Sequence, residues 1–167
     1  MAGDLFPVSM RAAAAVAATP AATPPPAPRA FAVALDQARA RADLLAVADA
    51  AETALGTRAP AAPDGGCQCG TFVATTAGTD AAAGTAATQG AIRAVDPFDL
   101  LGSGTAVPAR PATVEPGDIV ISRDPEAPTR RHAGIVLRDG SYATVDPAGI
   151  VVRAPIPWPF VEGVRRR

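Results

Sequence analysis

Both cysteines of this chain lie in Asp64-Gly-Gly-Cys-Gln-Cys-Gly-Thr-Phe-Val73, and its only histidine comes much later, in Arg131-His-Ala-Gly-Ile-Val-Leu137. Such scarcity leaves few ways to do cysteine chemistry. If a thiolate needs an imidazole partner, His132 alone can supply it. Two glycines precede the cysteines and an apolar run follows them. That approach suits a helix N-terminus, whose dipole and free N–H groups lower a thiol pKa and can stabilise an oxyanion. By propensity alone, Thr71–Thr76 could equally be a strand. Cys67 and Cys69 are too close together to staple distant parts of a fold, so they do not fix the redox compartment.

The core should be modest and concentrated late in the chain. Hydrophobic residues make up 49% of the 167, but many are alanine and only 4% are aromatic. Alanine buries little area. Fifteen basic residues against sixteen acidic ones leave a net charge of -1, which argues against a nucleic-acid or polyanion binder. No apolar run reaches the ~18 residues that a membrane span needs. Met10-Arg11 followed by Ala12–Ala18 has the outline of a short signal sequence. Its apolar part is almost pure alanine and Asp4 stands where positive charge is expected, so an Ala-rich tail is the favoured reading.

Three segments follow from composition. Residues 1–29 are Ala/Pro-rich and expected to be disordered, because dense proline prevents a helix. Residues 30–56 carry Phe31, Leu35, Ala38, Leu45, Ala48, Ala51 and Leu55 at helical steps, as one helix or two, with Gly56 as the stop. Residues 57–167 form the main domain. Residues 77–95 read as broken helix and loop, and Pro97–Pro116 as irregular chain with an apolar patch at Phe98, Leu100 and Leu101. The last third predicts strands at Ile119–Ser122, His132–Leu137, Tyr142–Asp146 and Ile150–Arg153. A turn at Glu115-Pro-Gly-Asp118 precedes them, and a polar loop at Asp124–Thr129 and turns at Asp139-Gly140 and Pro147-Ala-Gly149 separate them, which gives an antiparallel meander. Trp158 and Phe160, among prolines, are expected to cover the core.

His132 opens a strand just after a polar loop, which places an imidazole at a sheet edge. A polar group must orient such a ring. Thr144 and Asp146 on the adjacent hairpin arm are the candidates, with Asp146 preferred because a carboxylate better supports an imidazolium. A zinc site made by Cys67, Cys69, His132 and a carboxylate is disfavoured, because Cys-x-Cys is an uncommon chelate spacing. No metal or other cofactor is expected.

Four stretches in register resemble the NlpC/P60 cysteine peptidases. Gly66-Cys-Gln-Cys-Gly-Thr-Phe-Val73 resembles the family's Gly-Phe-Asp-Cys-Ser-Gly-Leu-Val. Gly104-Thr-Ala-Val107 with Glu115-Pro-Gly-Asp-Ile-Val120 is similar to its Gly-x-x-Val and Pro-Gly-Asp-Leu-Val. His132-Ala-Gly-Ile-Val-Leu-Arg-Asp-Gly140 resembles its His-Val-Gly-Ile-Tyr-x-Gly-Asp-Gly, and Val151-Val-Arg153 with Val164-Arg-Arg166 resembles its closing strand. The likeness runs over about residues 45–167. It implies an α+β, papain-like fold with N-terminal helices packed on a small antiparallel sheet. It places Cys69 on the nucleophile and His132 on the base, and puts the third polar residue at Asp146 or Thr144. Cys67 falls on an apolar position, as a bystander. Gln68, Gly70 and Thr144 would line the substrate and oxyanion site. Gln68 stands for an acidic residue, Gly70-Thr71 stand for Ser-Gly, and the aromatic motif before the cysteine has no counterpart.

The resemblance implies a bacterial cell-wall cysteine endopeptidase, secreted or in the envelope, that hydrolyses peptide bonds in peptidoglycan stem peptides. The departures motivate an alternative: an inactive binding or assembly module of an envelope or flagellar apparatus that meets its partner through the N-terminal segment. A papain-like amidase or acyltransferase is a third expectation.

Overall fold

The computed structural model describes residues 28–62, 67–78 and 95–167. The expected disordered segment lies almost wholly outside these residues. So do Asp64, Gly65 and Gly66, and most of the stretch expected to be broken helix and loop.

The described residues form an α+β structure, with two α-helices on a six-stranded antiparallel sheet. Helix α1 spans Pro28–Thr53 and α2 spans Gln68–Ala77. The strands are β1 (Thr105–Val107), β2 (Ile119–Arg123), β3 (Arg131–Val136), β4 (Tyr142–Val145), β5 (Val151–Ala154) and β6 (Val161–Arg166). They lie in the order β1-β6-β2-β3-β4-β5. The meander expected from turn spacing is β2 to β5. The Pro-rich stretch after β5 carries the chain back to the far side of β2, where β6 pairs with both β2 and β1. Hairpin signals cannot reveal that return, because its partners are remote in sequence.

Alternation along the strands sorts two apolar layers. Ile119, Ile121, Ala133, Ile135, Ala143, Val145 and Val151 share one cluster with Phe72, Val73 and Ala77 of α2. Val120, Val136, Tyr142, Ile156 and Val164 form the other, with Trp158 packed against it. Phe160 stays exposed, so only Trp158 covers the core as expected. In the 95–116 region Leu100 is fully buried while Phe98 is exposed.

Helix α1 is one helix, and only its second half is held. Leu44, Val47, Ala48 and Ala51 are buried, whereas Phe31, Val33 and Leu35 are exposed. Arg138 clamps the held half by donating from Nε and Nη2 to Asp49 at 2.7 and 2.9 Å. Gly117, at φ +91, lies beneath it, and a Cβ there would come within 2.1 Å of the Leu44 carbonyl oxygen. The Pro-Gly-Asp turn therefore needs glycine both for its backbone angle and for the approach of α1. Its aspartate, Asp118, is completely buried and accepts from Arg166 Nε and Nη2, each at 2.8 Å. That charged pair joins the turn to the last strand.

No helix among the described residues is long and apolar enough to cross a membrane.

Candidate active site

The run after Cys69 is helical rather than a strand, and it places the cysteines at the N-terminal end of α2. Cys67 is the N-cap and makes no side-chain cap bond. Gln68 and Cys69 are the first two helical residues. Phe72, Val73 and Ala77 anchor the helix against the sheet, so its start is held above β3. Thr71, completely buried, donates its hydroxyl to the Cys67 carbonyl at 3.3 Å and accepts the Val95 N–H at 3.4 Å. Gly70 lies under the same loop, where a Cβ would meet the Val95 carbonyl oxygen at 2.0 Å. Gly70-Thr71 thus serves the docking of Val95–Pro97 onto the helix start.

The two sulfurs are bonded to each other. This corrects the reading of Cys67 as a bystander: residues too close to staple a fold are close enough to close a local ring. Cys69 is only 2% exposed, and its sulfur lies 3.9 Å from the Arg131 carbonyl oxygen. A disulfide sulfur carries no proton, so this is proximity and not a hydrogen bond. It brings the sulfur beside the residue preceding His132.

His132 sits near the start of β3, opposite Ser122 of β2. Its ring Nε2 is 3.4 Å from Asp124 Oδ2, in the loop between the two strands. Asp124 also accepts the N–H groups of Glu126 and Ala127 through Oδ1, at 2.9 and 3.3 Å. The Glu126 N–H, and after it the His132 contact, hold the Asp124 carboxyl below the usual aspartate range against a smaller opposing effect of burial.

The groups expected to orient the ring are engaged elsewhere. Thr144 donates to the Ala133 carbonyl at 2.8 Å, and Asp146 Oδ1 accepts the Ile150 N–H at 2.9 Å within its own turn. The imidazole's carboxylate neighbour is Asp124, which sequence reasoning passed over as part of a polar loop. An Asp-Pro opening shortly before the histidine was the available signal, since Asx turns hold a carboxylate in place. Gln68 lies against the β4–β5 turn, where a Cβ on Gly149 would meet its Oε1 at 2.5 Å.

Beside the helix start, Arg123 and Arg131 converge on Glu162. Arg123 Nε donates to Oε1 at 2.9 Å and Arg131 Nε to Oε2 at 2.6 Å. These two bonds, Arg123 first, pull the Glu162 carboxyl below its usual range. Phe98 lies over the Arg131 guanidinium at 5.0 Å, a cation–π contact. Neither Cys69 nor His132 is among the described residues that line the cavities, though Arg123 and Glu162 line one of them. Among the described residues, no three His, Cys, Asp or Glu side chains gather as metal ligands.

No model of a known protein family matches this chain, and no curated protein matches it.

Proposed function

We propose that the reduced protein is a cysteine endopeptidase with a papain-like, NlpC/P60-like fold, acting on peptide bonds of peptidoglycan stem peptides. The observation that carries this is the placement of Cys69 at the start of α2, with its sulfur 3.9 Å from the backbone of the residue before His132. A helix N-terminus favours a thiolate, and an imidazole within reach can take the thiol proton. Strand alternation puts His132 on the face of Val136, opposite α2, so its ring must turn at the strand start to reach Cys69. Cys69 would attack the scissile carbonyl and form an acyl-enzyme. His132 would pass its proton to the leaving amine and then activate water. Asp124 takes the orienting role that the sequence reading gave to Asp146. The substrate class rests on the four-motif resemblance. An envelope or secreted location fits a disulfide, which persists in oxidising compartments.

The reacting form is the dithiol. An external thiolate attacks one sulfur, a mixed disulfide forms, and a second thiol releases both cysteines as the reductant is oxidised to its own disulfide.

A second reading is a binding or assembly module without catalysis. It is favoured by the Cys67–Cys69 bond, which removes the nucleophile, and by the exposed Phe31, Val33 and Leu35 on α1.

Muropeptide digestion with and without a dithiol reductant separates the two. The peptidase reading expects fragments only after reduction, and a loss of roughly 10³-fold or more in Cys69→Ala. No fragments from fully reduced protein, with no thiol labelling of Cys69 near neutral pH, would leave the binding module.

A further inference from the structure

Most arginines of the sheet have carboxylate partners. Arg123 and Arg131 share Glu162, Arg138 has Asp49, Arg153 has Asp139, and Arg166 has Asp118 and Glu115. Arg165 and Arg167 have none among the described residues. Arg165 Nε is buried without a hydrogen-bond partner.

Strand alternation puts Arg165 on the face of β6 opposite Arg166, and Arg167 follows the end of the strand. Arg165 lies across from Ile119 on one side and Ala106 on the other. With Gly78, Ser103, Gly104, Ile119 and the Asp118-paired Arg166, Arg165 and Arg167 line a cavity of about 180 Å³. Gly78, at φ 58, ends α2, and Arg167 Nη1 lies 3.1 Å from where its Cβ would be.

We propose that this cavity binds a small oxyanion, a phosphate or carboxylate group. Arg165 is half-exposed, but its Nε–H is buried without an acceptor, which is costly, and an oxyanion that accepts it removes that cost. Among the described residues, no acidic side chain lines the cavity. The carbonyl end of α2 carries a partial charge of about −0.5, which two guanidiniums outweigh. The volume is below the ~300–1,000 Å³ of clefts that hold drug-sized ligands, so the site takes one anionic group and not a nucleotide. It lies at the end of α2 away from the cysteines, about 15 Å along a ten-residue helix. It does not depend on the peptidase reading.

The test titrates the full chain with inorganic phosphate, and separately with acetate, at constant ionic strength. Thermal melting and phosphorus NMR linewidth are followed. A saturable rise in melting temperature is expected with at least one anion. Saturation by phosphate alone points to a phosphate group, and by acetate alone to a carboxylate. Arg165→Gln should weaken binding roughly tenfold or more, Arg165→Lys less, and Arg153→Gln, whose partner is Asp139, not at all. No saturable response to either anion, or an equal response in Arg165→Gln, overturns the proposal. If Arg165→Gln does not fold, Arg167→Gln decides: reduced affinity supports the site, and unchanged affinity overturns it.

Discussion

The two ends of α2 are built on opposite terms. At its N-terminal end the cap is Cys67, whose side chain makes no cap bond, and a loop presses onto Gly70. At its C-terminal end Gly78 turns left-handed and donates its N–H to the Ala74 carbonyl, a closed cap with Arg167 beside it. The partial negative end faces guanidinium, the charge its dipole favours, whereas the partial positive end faces a neutral disulfide and would favour the thiolate that reduction releases. Between them, Cys69–Ala74 and Ala77 are buried. A helix so enclosed offers chemistry only at its ends.

Substituting the glycine at each end breaks the comparison in a different way. Gly70→Ala forces a methyl group into the Val95 carbonyl, and backbone cannot yield cheaply. Its expected cost is about 1–3 kcal/mol from overpacking, only partly offset by better helix propensity. Urea denaturation measures it, and a change within error would mean that the loop does not press on the helix. Gly78→Ala meets only the movable tip of Arg167, so its cost is the left-handed backbone, roughly 1 kcal/mol. It should also weaken anion binding by displacing Arg167, which phosphate titration would show.

The smallest expected effect concerns the charge cluster beside the N-terminal end. Arg123 and Arg131 lower the folded-state pKa of Glu162. A lowered carboxylate pKa stabilises the fold above the ordinary glutamate range and loses that contribution as pH falls through the lowered value. The pair is partly solvated, so the gain is about 1 kcal/mol or less. The stability gap between wild type and Glu162→Gln should therefore shrink from about pH 6 to about pH 3. A constant gap would mean that Glu162 acts by packing.

Local signals were legible where they act over a few residues. Helical spacing located α1, and turns at Asp139-Gly140 and Pro147–Gly149 located the hairpins from β3 to β5. Spacing misjudged which face of α1 is held. Phe31 and Leu35 fit the apolar pattern, yet they lie beyond the end of the sheet that buries Leu44 to Ala51. The place of β6 between β1 and β2 depends on pairings far apart in sequence, including the buried Asp118–Arg166 pair.

For the site, the sequence by itself determined that Cys67, Cys69 and His132 are the only thiol and imidazole groups available. It also marked Glu115-Pro-Gly-Asp118 as a turn; that its glycine needs a positive φ and lies against α1 came from the packing. Tertiary structure alone decided how those groups are used. The two sulfurs join because the helix start holds them together, and the ring meets Asp124 because the β2–β3 loop folds back beside it. Composition lists which groups can react, but reach and direction are set by packing between elements that the chain order does not make neighbours.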